Sequence, residues 1–185
     1  MPTEEFIITV FCLVEELFEE VTGGVKLRTR GFAPRLSDSE VITMEIVGEF
    51  LGYEGDKAIW EYFKRHWMAW FPALGDRSTF VRQAANLWRI KQLIHQRLVA
   101  KLGARTADGH IIDGFPIAVC KLVRAPRSHV LQVEADYGFC DAKDEYYYGL
   151  KAHVLIDLRG VIVGVTVTAA NVDERDAAYD ILQAI

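Results

Sequence analysis

One carboxylate in the second half of the sequence stands in surroundings that favour metal chemistry. Asp113 lies within the apolar run from His110 to Ile117, which is typical of a β-strand. A carboxylate held inside such a strand is unfavourable unless it is paired, hydrogen-bonded or bound to a metal. Metal-dependent enzymes of phosphoryl transfer use such carboxylates to hold divalent ions between the attacking and leaving oxygens. Asp113 is therefore the candidate catalytic and metal-ligating residue. The alternative is that Asp113-Gly114 forms a two-residue hairpin turn.

A strongly basic segment lies between two acidic ones. Residues 57–105 contain 10 Lys/Arg and 2 Asp/Glu, whereas residues 1–56 contain 4 and 12 and residues 106–185 contain 7 and 12. The formal net charge of −5 hides this asymmetry. Such a distribution is typical of a chain in which one segment has a polyanionic partner.

Within the basic segment, four polar residues follow one face of a predicted helix: Arg82, Asn86, Arg89 and Gln96. Arg and Asn are residue types that read guanine and adenine edges in the major groove of DNA. We expect these four residues to bind DNA, as part of a helix-turn-helix arrangement; the alternative is an ordinary solvated helix face. All 4 tryptophans also lie in this segment. We interpret them mainly as core residues of a helical domain, with base stacking as the alternative.

The remaining composition excludes several other classes of protein. The 5 histidines show no ligand spacing, and no nucleophile elbow or phosphate-binding glycine loop occurs. The 3 cysteines form no Cys-x-x-Cys pair, so we expect reduced, buried thiols. The longest apolar runs are shorter than the ~20 residues of a membrane span, and the N-terminus is acidic where a signal peptide is basic. These features predict a cytoplasmic protein without a membrane partner.

The periodicity changes from helical to strand-like about half-way along the chain. Helices are predicted from Phe6 to Val21, from a Ser37–Glu40 capping box to about Leu51, over about Lys57–Trp70, and from Ser78 to about Lys101. Strands are predicted over His110–Val119, Tyr146–Asp157 and Val161–Ala169, the last two joined by a hairpin turn, and a helix follows from Asp173 to Ile185. The alternating valines of the last strand predict a central strand, and the polar stretch around Tyr137–Cys140 predicts a loop.

The predicted fold class is α+β, with an all-helical domain over residues 1–105 and an α/β domain over residues 106–185. A β-β-β-α order leaves a crossover helix with no following strand. The last helix also stops at an apolar residue, Ile185, without a capping residue. We therefore expect the sequence to be truncated within its second domain, with an unpaired sheet edge.

An ordered set of motifs in the second half resembles the transposases of the insertion sequence 982 family. The motifs are Ile112 to Cys120 (IDGFPIAVC), Tyr137 to Cys140 (YGFC) and Glu145 to His153 (EYYYGLKAH), accompanied by Leu36 to Ile42 and Ala170 to Arg175. The resemblance implies a DDE transposase with a ribonuclease H-like catalytic domain, in which three acidic residues bind two Mg²⁺ or Mn²⁺ ions. It also implies that DNA, as transposon ends and target, is the partner, and that Asp113 is the first acid.

The same resemblance implies that this chain lacks the other two acids. In the family the second acid lies on the strand after this helix and the third in a later helix. None of Asp157, Asp173, Asp176 and Asp180 lies in a matching motif. The leading hypothesis is thus a truncated, catalytically inactive transposase fragment, acting as a homodimer or with a full-length transposase. The alternative is a DNA-binding or dimerising regulator of transposition without enzyme activity, and a third hypothesis is an inert remnant.

Overall fold

Helices make up the first part of the chain and an antiparallel sheet most of the second, which confirms the predicted α+β class. The computed structural model describes residues 1–25, 27–28 and 33–184. It divides the chain into two units, Met1–Leu98 and Val99–Ile185. Ile185, the predicted end of the last helix, lies outside the described residues.

The first unit is helical, and its helices begin and end largely where local signals predict. The helices are α1 (Thr3–Thr22), α2 (Asp38–Phe50), α3 (Gly55–His66), α4 (Arg77–Asn86) and α5 (Trp88–Lys101), the last of which extends into the second unit. The predicted capping box is confirmed: the Ser37 amide donates to Glu40 Oε2 over 2.7 Å, and the Glu40 amide donates to Ser37 Oγ over 3.1 Å. Gly23 ends α1 in the left-handed region, with φ of 58°.

One predicted helix is wrong, because the segment from Ser78 to Lys101 is two helices rather than one. The break lies at Leu87, whose φ and ψ are −91° and 3°. Its amide donates to the carbonyl of Ala84, three residues earlier, and α5 begins immediately afterwards. The Leu87 side chain is buried in the core, so packing of this residue stabilises the break. Asp76, and not Ser78, occupies the N-cap position of α4.

The core of the first unit contains most of the predicted apolar residues of the helices. Fully buried members include Ile7, Leu17, Ile42, Phe63 and Leu87. The interpretation of the tryptophans as core residues is correct for Trp60 and Trp67, which pack against this core. It is wrong for Trp70 and Trp88, whose exposed fractions are 42% and 63%.

The second unit is a four-stranded antiparallel sheet with one helix on it. Its elements are β1 (His110–Cys120), β2 (Asp136–Cys140), β3 (Glu145–Asp157), β4 (Ile162–Ala169) and α6 (Glu174–Ala184). β3 is central: β1 pairs along one edge, and β2 and β4 pair in succession along the other. The predicted hairpin between β3 and β4 is confirmed, with Gly160 at φ of 85°.

Two local predictions for this unit are wrong, and one for the cysteines of the whole chain. The stretch predicted as a loop forms β2, which pairs with the first residues of β3. β4, predicted as central, pairs with β3 alone among the described residues, and Val165 and Val167 are exposed. The cysteines are all free thiols as predicted, but none is buried: Cys12 of the first unit is exposed, and Cys120 and Cys140 are partly exposed.

The two faces of the sheet have different surroundings. α6 packs on one face, where Leu155, Val163 and Ile181 form a buried cluster. On the other face Phe115, Val165 and Val167 are each about half exposed, at 52%, 57% and 51%. β1 pairs on one side only within the described part of the chain, so the strand that carries Asp113 lies at the edge of the sheet. None of the helices described is both long enough and apolar enough to cross a membrane.

Candidate active site and nucleic-acid interface

Asp113 lies in the middle of β1, opposite Val154 of β3. This position excludes the alternative of a hairpin turn at Asp113-Gly114. The side chain is exposed, on the face away from α6, and its Oδ1 accepts a hydrogen bond of 2.8 Å from the Gly114 amide. The expectation of a carboxylate enclosed in apolar surroundings is therefore wrong, because strand alternation places it on the solvent face. It is accessible to an ion or a phosphate.

Gly114 allows an ion pair to lie against β1 on the opposite face. A Cβ at this position would lie 2.7 Å from Lys151 Cε and 2.9 Å from Glu174 Oε1. Those two side chains form a salt bridge of 2.9 Å that links β3 to the first turn of α6. The absence of a side chain at Gly114 thus lets α6 be tied to the sheet directly behind the strand position that carries Asp113.

A fully buried histidine lies beside this ion pair. His153 is opposite Gly114 in the β1–β3 register, and its Nε2 lies 2.9 Å from Thr168 Oγ1. Because the Thr168 hydroxyl donates to the carbonyl of Ala169, His153 Nε2–H is the donor of this pair. Burial, and then the charge of Lys151, hold the pKa of His153 below its ordinary value, so the ring is neutral. His153 is a packing residue of the sheet and does not reach solvent.

Asp157, a buried acid at the end of β3, holds the β3–β4 hairpin. Its carboxylate accepts hydrogen bonds from the amides of Arg159 and Val161 and from Arg159 Nε, at 2.8 to 2.9 Å. Arg159 also donates to the carbonyl of Leu102. Burial alone would raise the pKa of Asp157, but these hydrogen bonds and the guanidinium charge outweigh it and lower the pKa. Its oxygens are therefore occupied by the turn.

The described residues do not complete a metal site around Asp113. Across residues 1–25, 27–28 and 33–184, no group of three or more His, Cys, Asp or Glu side chains is arranged to hold a metal ion. Asp173 Oδ1 accepts from the Arg175 amide at the start of α6, which is a capping role. A carboxylate suits Mg²⁺ or Mn²⁺ as a ligand, yet one carboxylate is a small part of an octahedral shell.

The predicted DNA-binding residues are all exposed, but the break at Leu87 separates them into two pairs. Arg82 and Asn86 lie on α4 and line the same groove of about 500 Å³. Arg89 and Gln96 lie on α5 and do not line it. The structure thus brings the first pair together on one surface, while the continuous stripe expected from a single helix does not exist.

Comparison with known protein families indicates what kind of domain the second unit is. Residues 103–185 match the sequence family described as a transposase DDE domain. This segment contains the whole sheet and the described part of α6, and it covers just under half of the chain. Neither the curated proteins nor the solved structures gave a match.

The match supports a DDE transposase, and a transposase domain implies DNA as a partner. DDE transposase domains generally use divalent metal ions. Asp113 lies on the first strand of the matched segment. Its assignment as the first acid, and the DNA contacts of Arg82, Asn86, Arg89 and Gln96, stay predictions.

Two arginines of the groove escaped sequence reasoning. Arg28 and Arg35 line it beside Arg82, although they precede it by about fifty residues. They belong to the acidic segment at the start of the chain, where the local charge gives no sign of a basic surface. Their contribution arises from tertiary packing of residues 33–36 against α4.

Proposed function

We propose that this chain is a transposase polypeptide of the insertion-sequence type, with Asp113 as the first acid of its catalytic site. The observation that carries the proposal is the match of residues 103–185 to a transposase DDE domain, in which β1 presents an accessible carboxylate. Residues 103–185 form the corresponding part of a ribonuclease H-like domain. Asp113 would supply one oxygen ligand for Mg²⁺ or Mn²⁺, and DNA phosphates would supply others.

We further propose that the chain binds DNA through the basic segment of residues 57–105, which contains most of α3 and the whole of α4 and α5. The support is the excess of Lys and Arg in that segment and the exposure of all four candidate residues. Phosphate contacts release counterions, so the logarithm of affinity falls with the logarithm of salt concentration. Replacing one phosphate-binding arginine should reduce that slope by about 1.

The DNA-binding proposal is tested by measuring the affinity of the 185-residue chain for duplex DNA from about 50 to 200 mM salt. Arg82→Gln and Arg89→Gln should each weaken binding and flatten the slope. Arg175→Gln, at an exposed arginine of α6, removes the same charge outside the basic segment and serves as the control. Equal effects of all three substitutions would show that only overall charge matters and would contradict the assignment.

The polypeptide of residues 1–185, taken by itself, is proposed to be inactive in DNA cleavage. This is supported by the absence, among described residues, of a group of three acidic or other ligating side chains. The test is a nicking assay on supercoiled plasmid with Mg²⁺ or Mn²⁺, comparing the chain with Asp113→Asn and with Asp180→Asn as a matched carboxylate on α6. We expect no nicking by any of them, with a cooperative unfolding transition proving that each is folded. Nicking that only Asp113→Asn abolishes would contradict the inactivity and establish Asp113 as catalytic.

The absence of a group of three ligating side chains among the described residues also favours a second candidate function, a regulator that binds DNA without cutting it. A chain that binds DNA but holds one acid would compete with an active transposase for the same sites. Adding the chain to a transposition reaction should then reduce the yield, and Arg82→Gln should relieve that inhibition. Inhibition unaffected by this substitution would point instead to mixed assembly with the active enzyme.

A further inference from the structure

The groove beside α4 combines an apolar floor with a basic rim. Its volume is about 500 Å³, and its lining includes three largely buried apolar side chains, Leu36, Leu74 and Phe80. Arg35 and Arg82 lie along it, and Asp76 is the carboxylate in its lining. A cavity of this size, mostly apolar with a few polar groups, is typical of a site for a small molecule or for one unit of a polymer.

The wall of the groove is fixed by a hydrogen-bonded network. The side-chain amide of Gln83 donates through Nε2 to the Leu36 carbonyl over 3.0 Å and to Asp38 Oδ1 over 2.7 Å. Arg28 forms a two-bond pair with the same carboxylate, at 2.8 Å for each bond. Gln83 and Asp38 are therefore held in place, and the charge of Asp38 is matched by Arg28.

Arg35 and Arg82 differ from Arg28, which pairs with the Asp38 carboxylate. Both are exposed, and neither makes a hydrogen bond or ion pair with another described residue. Two cations at the rim of one groove, neither with a partner among the described residues, favour an anionic ligand. Asn86 lines the groove as well and adds an amide that both donates and accepts hydrogen bonds.

We propose that this groove binds a single unpaired nucleotide of a DNA strand, with its phosphate at Arg35 and Arg82 and its base on the apolar floor beside Asn86. The inference rests on the proposed DNA-binding function and names the form of DNA that this site accepts. A nucleotide offers the two surfaces that the groove matches, a flat ring and a phosphate. In a duplex the bases are paired and stacked on one another, so no free ring face would cover the apolar floor.

The test uses ligand-observed NMR on the full chain with thymidine 5′-monophosphate, inorganic phosphate and thymidine as separate probes. We expect thymidine 5′-monophosphate to bind at least about tenfold more tightly than inorganic phosphate, because the base adds contact with the floor. Arg35→Gln and Arg82→Gln should each weaken it about tenfold or more, as loss of a charged hydrogen bond does. Arg175→Gln, an exposed arginine of α6 outside both the groove and the basic segment, is the matched control and should leave affinity unchanged.

Each outcome of this experiment decides for or against the nucleotide site. Equal affinity for inorganic phosphate and the nucleotide would overturn it, since the base would then contribute nothing. Duplex binding without any nucleotide binding would also overturn it while leaving the proposed function in place. Nucleotide binding that depends on Arg35 and Arg82, in a chain that does not bind duplex DNA, would support the site and contradict the proposed duplex contact.

Discussion

Gly149 of β3 is the position at which the structure makes the sharpest prediction. A Cβ there would clash with the carbonyl oxygen of Ile117 and lie 2.9 Å from the Val119 amide nitrogen and 3.0 Å from Ala118 Cα. These are backbone atoms of β1, next to the irregularity in its register with β3 at Ala118 and Cys120. Gly149→Ala therefore requires β1, the strand of Asp113, to move away from its neighbour, because no side-chain rotation relieves the contact.

The expected loss of stability can be worked from this geometry. Overpacking costs about 1–3 kcal/mol where side chains can adjust, and backbone atoms place Gly149 at the upper end. Replacing Gly by Ala offsets about 0.4–1 kcal/mol of this loss, because Ala has less conformational freedom than Gly in the unfolded chain. The net loss is about 2 kcal/mol, which for a unit of this size lowers the melting temperature by roughly 8–16 °C.

The measurement is thermal unfolding of the full chain by far-ultraviolet circular dichroism, with hydrogen exchange of peptides from β1 and β3. Gly109→Ala is the matched control in the same unit, since its Cβ would lie 3.6 Å from the Leu158 side chain, an ordinary contact. Exchange should quicken in both strands of Gly149→Ala and stay unchanged in Gly109→Ala. Equal melting temperatures for the two variants would refute the close approach of β1 and β3 at Gly149.

Three further predictions concern single residues. The pKa of Asp157 is lowered in the folded state, so its stabilising effect is present above the ordinary carboxyl pKa and lost as pH falls through the folded value; urea midpoints of the chain and Asp157→Asn should differ at pH 7, and the difference should shrink as pH falls below 3.8. Burial raises the pKa of Glu45 despite its 2.7 Å contact with Lys91, so this group lowers stability as pH rises above its ordinary pKa. Glu45→Gln should then raise the urea midpoint at pH 7, with the gain disappearing below about pH 4.5, and an unchanged midpoint at pH 7 would contradict it. Gly48→Ala places a Cβ 2.6 Å from Ile59 Cγ1 and 2.8 Å from its Cγ2, so it should destabilise the first unit by about 1–3 kcal/mol although Ala favours helix, and the loss should be smaller in an Ile59→Ala background, which lacks both γ carbons.

The elements that sequence alone predicted correctly are those with local signals. The capping box at Ser37 and Glu40 and the glycine after α1 act within one helical turn, so they can be identified without knowledge of the fold. The Gly160 turn that joins β3 to β4 is local in the same way. In each case the residues that make the contacts are neighbours along the chain.

The elements that sequence missed depend on distant residues. The break at Leu87 contains neither Gly nor Pro, and burial of the leucine side chain decides it. β2 has five residues and is recognisable only from its pairing with β3. The valines of β4 alternate as a buried strand would, yet Val165 and Val167 lie on the sheet face away from α6.

The same difference between local signals and contacts of distant residues applies to the candidate site. Asp113 could be selected from its residue type and its strand, whereas its exposure depends on which sheet face α6 covers. The groove beside α4 joins residues 28 and 33–36 to residues 73–86, and no spacing in the sequence relates these segments. The sequence predicts that Arg82 and Asn86 share one surface, because they are four residues apart on one helix. It gives no such indication for Arg35.

The distribution of aromatic side chains gives the two units separate optical signals. All 4 tryptophans lie in the first unit, and five of the 7 tyrosines lie in the second. Excitation at the red edge of tryptophan absorption therefore observes the helices alone, without any label. Trp88, exposed at the start of α5 next to Arg89, should change its emission when a ligand covers this surface. Occupancy of the basic helices can thus be followed in the unmodified chain while circular dichroism reports on the chain as a whole.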